Sequence, residues 1–212
     1  MSEYLDTFNF FKTNSIRHSH VQTESDVKSF LKSSSVFNWI YLIKFSNDIY
    51  AWGTASKNGS RLRKTSLFNR KLTGKYDRRG DYLMLIAVYG QPEVTLFEIP
   101  NAVGIEQERR RTLYGSDRLG ACFRGFSKDD RTSITLEVYE LFKSSSLYNA
   151  LTETERKIFD EFIYSYYLGK LKHPHRNATF YFGDCLEPNF LDKTLGRSDF
   201  IPVIEKALDV KF

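Results

Sequence analysis

Two tyrosines followed by an arginine raise the first chemical question in this sequence. Tyr41 and Tyr50 lie in two short runs, Trp39–Phe45 and Ile49–Trp52, with Ser46, Asn47 and Asp48 between them. Runs rich in aromatic and β-branched residues flanking a short polar turn predict a β-hairpin. Gly53 ends the hairpin, a small polar loop follows over Thr54–Ser60, and a basic segment begins at Arg61. A hairpin carrying aromatic hydroxyls, followed by a helix carrying an arginine, is a layout for cleaving phosphate esters. The plainer reading of the same residues is core-facing strand aromatics and one more exposed base. His18-Ser19-His20 and His173-Pro174-His175, with Cys122 and Cys185, are other metal-binding side chains, but none has the tight ligand spacing of a zinc site. There is no P-loop, GxSxG, HExxH or dinucleotide fingerprint.

Charge adds a second signal. The net charge of +5 is unevenly placed: residues 1–56 sum to zero, residues 57–124 to +7 and residues 125–212 to −2. The densest stretch holds Lys57, Arg61, Arg63, Lys64, Arg70, Lys71, Lys75, Arg78 and Arg79 against the single acid Asp77. Such asymmetry points to a polyanionic partner, because each neutralised phosphate releases counterions; a solvated basic face is the alternative.

The elements that must position these groups read as follows. With 41% apolar and 16% aromatic residues the chain can bury a real core. Residues 1–22 carry an aromatic cluster (Tyr4, Phe8, Phe10, Phe11) that suits a short helix or a packing arm. Thr23–Lys32 reads as a capped helix with Val27, Phe30 and Leu31 on one face. Arg61–Lys71 reads as helical, and Tyr82–Tyr89 is apolar all round, so periodicity does not separate helix from strand. Glu93–Ile99 alternates as a strand, and Gly104–Tyr114 is a charged helix. Residues 115–131 are loop-like and Thr132–Phe142 is strand or helix. Thr152 and Glu155 make a capping box for a helix over Thr152–Leu168, Asn177–Phe182 suggests a strand, and Ser198–Val210 a closing helix. No run approaches about 18 apolar residues, no basic-then-apolar leader is present, and the two cysteines form no CxxC, so a cytoplasmic protein without membrane contact is expected.

These parts, in this order, resemble the GIY-YIG nuclease family. Trp39-Ile40-Tyr41 corresponds to its Gly-Ile-Tyr motif, and the segment ending at Gly53 to its Tyr-Ile-Gly motif. The family arginine lies eight residues after that glycine, which is Arg61. An apolar helix ending before a glycine, then a strand, comes next; Tyr82–Tyr89, Gly90 and Glu93–Ile99 fit, which favours a helix for the ambiguous segment. Homing endonucleases of the family with Ile-Pro at the strand end place a metal-binding glutamate eight residues after the proline; from Pro100 this is Glu108. The resemblance spans about residues 37–115. Two positions depart from it. Trp39 replaces the first glycine, and Ala51 stands where the family has its second tyrosine. Tyr50 is one residue off, and because side chains alternate along a strand it faces the wrong way unless a bulge shifts the register.

The resemblance implies an α+β fold, a small central antiparallel β-sheet flanked by helices, with extensions at both ends. The expected organisation is an N-terminal helical extension over 1–36, the catalytic module over 37–115, and a C-terminal mixed α/β extension over 116–212 for substrate recognition or dimerisation. It implies a metal-dependent DNA endonuclease of the phage or restriction type. Tyr41 and Tyr50 would serve as general base, Arg61 as the clamp on phosphate oxygens, and Glu108 as ligand to Mg²⁺ or Mn²⁺. Lys57, Arg63, Lys64, Arg70, Lys71, Arg78 and Arg79 would contact double-stranded DNA, with a homodimer as one possible assembly. Two alternatives stand beside this: a catalytically silent nucleic-acid binder on the same scaffold, in which Ala51 marks lost catalysis, and a basic protein-interaction factor.

Overall fold

A computed structural model describes residues 2–56, 68, 79–115, 122–126, 131–167 and 189–212. It is α+β: a five-stranded antiparallel sheet with helices against it. The chain forms two compact units, Met1–Arg63 with Gln91–Ser127, and Lys64–Gly90 with Lys128–Phe212.

The first unit holds the sheet. The hairpin forms as its sequence predicts: β2 (Asn38–Lys44) pairs with β3 (Tyr50–Ser56), and the Ser46 hydroxyl accepts from the Asp48 and Ile49 amides in the turn. β4 (Glu93–Glu98) pairs with the other side of β2, β1 (Arg17–Val21) with β4, and β5 (Cys122–Arg124) with β3, giving the order β1-β4-β2-β3-β5. The N-terminal residues are therefore not a separate helical extension. They supply an outer strand and two helices, because β1 completes the pairing of β4 and α1 (Glu3–Thr13) covers the sheet.

Alternation sorts the strands into two faces. Ile40, Leu42, Tyr50, Trp52 and Phe97 face one way and form a buried cluster with Tyr4 and Phe11 of α1 and with Ala102 of α4 (Ala102–Tyr114). Tyr4, Thr7 and Phe11 repeat at helical spacing, so one stripe of α1 buries them all. Each fully buried apolar side chain contributes about 1.5–3 kcal/mol. Trp39, Tyr41 and Ile43, with Val94 and Leu96, occupy the other face and are also buried. At the sheet's edge α2 (Glu24–Lys32) starts in a capping box between Thr23 and Asp26 and packs beside β1. Arg17 holds its last turn, donating to the Phe30 carbonyl at 3.1 Å and the Ser33 hydroxyl at 2.9 Å. The same guanidinium donates to Glu98, whose second oxygen accepts from the Ser35 amide at 2.6 Å and hydroxyl at 2.7 Å.

The second unit is helical among its described residues. α3 (Arg79–Tyr89) is the apolar segment without periodicity, and the reason is its surroundings: it packs against α5 (Arg131–Phe142), α6 (Ser146–Asn149) and α8 (Phe200–Leu208), so residues on all its sides are buried. It groups with these helices, not with the sheet that precedes and follows it in the chain. α7 (Glu153–Glu161) opens in the expected capping box, and Glu155 also pairs with Lys206 of α8 at 2.7 Å. The helix expected to run to Leu168 changes to π-helix over Phe162–Tyr167, with Phe162 and Ile163 both buried. The expected helix over Arg61–Lys71 and the strand over Asn177–Phe182 lie outside the described residues.

Candidate functional site

The hairpin register decides which groups share a side of the sheet. Pairing runs without a bulge from Asn38↔Ser56 through Tyr41↔Gly53 to Lys44↔Tyr50. Tyr41 and Tyr50 therefore leave the sheet on opposite faces. Ala51 lies on the Tyr41 face, opposite Ile43, so no tyrosine stands there in its place.

Tyr41 lies across its partner glycine. A Cβ added at Gly53 would sit 2.6 Å from Tyr41 Oη and 3.0 Å from Cζ, so glycine is needed for close approach rather than for an unusual backbone angle. Gly53→Ala tests this contact. Overpacking costs about 1–3 kcal/mol, and the strand preference of alanine over glycine offsets about 0.5–1 kcal/mol. A net loss of about 1–2 kcal/mol in urea unfolding is expected, with a changed near-UV signal from the displaced ring. Stability equal to wild type would mean the ring is not held there.

Tyr50 sits in a polar network between α1 and the sheet. It is 1% exposed; its hydroxyl donates to Glu3 Oε1 at 2.6 Å and lies 3.4 Å from Thr7 Oγ1. Burial, then the hydrogen bond to Glu3, push its pKa well above the ordinary phenol value. A phenol that donates to a carboxylate and resists ionisation is held in place rather than activated as a base. Burial raises the Glu3 carboxyl, but hydrogen bonds from Arg124 and Tyr50 outweigh it and leave its pKa lowered. Arg124 grips both Glu3 oxygens and lies 4.9 Å over the Tyr114 ring. Arg109 donates to Thr7 Oγ1 at 2.9 Å. No sequence signal marks this network, since its members come from α1, β3, α4 and β5.

Glu108 is exposed on α4, whose buried side carries Ala102, Glu106, Arg109 and Arg110. That helix packs on the Tyr50–Trp52 face, with Tyr114 stacked on Trp52 at 6.2 Å. Tyr41 and Glu108 thus lie on opposite sides of the sheet, and Tyr50, on the Glu108 side, is buried beneath α1. The neighbouring Glu106 is buried and paired with Arg110 at 2.5 Å. Arg61, Lys57, Arg63, Lys64, Arg70, Lys71 and Arg78 lie outside the described residues, and Arg79 opens α3. Among the described residues no group of three His, Cys, Asp or Glu side chains is placed to hold a metal, and none of their helices is long and apolar enough to cross a membrane. No protein-family model, curated protein or solved structure matches this chain.

Proposed function

We propose that this protein binds nucleic acid through its basic central segment, on a GIY-YIG-like hairpin that does not cleave the bound strand. The observation that carries the reading is the unbroken β2–β3 register. It sets Tyr41 on one face, Ala51 beside it and Tyr50 on the other face, locked to Glu3. Hydrolysis of a phosphodiester needs base, clamp and charge-neutralising group within reach of one phosphate. The opposite faces taken by Tyr41 and Tyr50, and the exposed position of Glu108 on α4, support the binder over the nuclease. Glu108 alone is a single exposed carboxylate, and no step of the proposed function runs through a metal. The basic segment Lys57–Arg79 supplies the attraction for the phosphate backbone.

The metal-dependent endonuclease remains the second reading, favoured by two observations: Tyr41 pairs directly with Gly53, and Arg61 and Glu108 keep the spacing of the family it resembles. One experiment separates the two. Purified wild type and Glu108→Ala are incubated with supercoiled plasmid in Mg²⁺, Mn²⁺ or EDTA, and their duplex affinities are measured in parallel. The binder reading expects no nicking in any metal and salt-sensitive binding equal in both proteins. Metal-dependent nicking that Glu108→Ala abolishes would replace it with the nuclease. Absence of both cleavage and binding would leave the basic protein-interaction factor.

A further inference from the structure

Among the described residues β1 (Arg17-His18-Ser19-His20-Val21) is an outer strand, with α2 packed beside it and held by Arg17. The strand has no proline and no lysine, and the charge of Arg17 is matched by Glu98. Between β1 and α2 an open groove of about 410 Å³, lined by Arg17 to His20 of β1 and by Asp26, Ser29, Phe30 and Ser33, leaves space alongside the strand.

His18 and His20 are two residues apart on β1, so both imidazoles leave on one face, that of α1. Both are exposed, yet both are held. Phe8 meets His18 edge-on at 5.9 Å and stacks on His20 at 6.3 Å, and Phe97 stacks on His18 at 5.8 Å. The Thr95 hydroxyl is hydrogen-bonded to His20 Nδ1 at 2.9 Å, which leaves Nε2 for a ligand; metal-binding histidines have their other ring nitrogen bonded in this way. Two imidazoles do not close a four-coordinate site.

We propose that His18 and His20 form half of a zinc-class metal site, completed by the same two histidines of a second copy joined edge to edge through β1. Antiparallel pairing of identical strands about a twofold axis through Ser19 sets His18 opposite His20 and Arg17 opposite Val21, so no like charges oppose each other. Opposed side chains have Cβ atoms about 4.5–5.5 Å apart, which brings four imidazoles around the axis, a nitrogen set suited to tetrahedral zinc.

The test is the mass in solution by light scattering, with one equivalent of Zn²⁺ or with excess EDTA, and the zinc content of the isolated species. Expected are a dimer with one zinc per two chains, a monomer in EDTA, and loss of the zinc-dependent dimer in His18→Ala and in His20→Ala. Ser19→Pro, which keeps both histidines but blocks strand pairing, should remain monomeric with zinc; should it fail to fold, the histidine variants decide alone. A monomer at saturating zinc, or a zinc dimer undiminished in either histidine variant or in a folded Ser19→Pro, would overturn the proposal.

Discussion

Glu98→Gln is expected to lower the unfolding free energy by about 3 kcal/mol at pH 7. The side chain is 3% exposed, and its oxygens accept from Arg17 and from both the amide and the hydroxyl of Ser35. Burial raises the Glu98 carboxyl, but the bonds from Arg17 and Ser35 outweigh it and bring the pKa from 4.5 down to about 2. The sign follows from linkage: a depressed carboxyl stabilises the fold fully above its unfolded value, and the contribution is lost as pH falls from 4.5 towards 2. Glutamine keeps the shape but removes the charge that Arg17 faces, so the difference between wild type and variant should be full at neutral pH, shrink below 4.5 and close near 2. Urea unfolding of both proteins at pH 7, 4 and 3 reads this directly. Equal midpoints at pH 7, or a gap that does not narrow in acid, would show that the carboxylate does not bind β1, β4 and the residues after α2 together as described. The clip also matters for assembly, since it holds the strand on which His18 and His20 stand.

Replacing Lys57, Arg63, Lys64, Arg70, Lys71 and Arg78 together with glutamine is expected to weaken duplex binding on the order of 10³-fold at low salt. The slope of log affinity on log salt should become shallower by about 5, because each lost phosphate contact removes close to one released counterion. Fluorescence anisotropy with a labelled duplex at several salt concentrations measures both. The two quantities must change together: weaker binding with an unchanged slope would mean that the substitutions act through folding. Unchanged affinity would move the nucleic-acid surface away from the central segment and remove the main support for the proposed function. The charge pattern makes the test discriminating, since residues 1–56 are neutral in sum and residues 125–212 are net acidic.

Local features of the fold were legible in the residues themselves. The turn at Ser46–Asp48, the cap that opens the helix after Thr23, the capping box of Thr152 with Glu155, and the alternation over Glu93–Ile99 are each contained within a few positions. Hydrogen bonds to nearby amides and two- or 3.6-residue periodicity act at that range, so sequence alone determined these elements. It also determined, by parity, that Tyr50 faces away from Tyr41 unless a bulge intervenes. Only the tertiary structure decided that no bulge does. The strand state of β1 and β5 was beyond local reading, because Arg17-His18-Ser19-His20 has little apolar signal and Cys122–Arg124 is three residues long; each is a strand because a distant partner satisfies its backbone. α3 was ambiguous for the opposite reason, being buried on all sides, and its membership of the second unit depends on helices that lie between Arg131 and Leu208. The network that locks Tyr50 joins Glu3 to Arg124, 121 residues apart. Pairings at that separation are selected by which charge meets which partner in the finished fold, and no short-range pattern carries that choice.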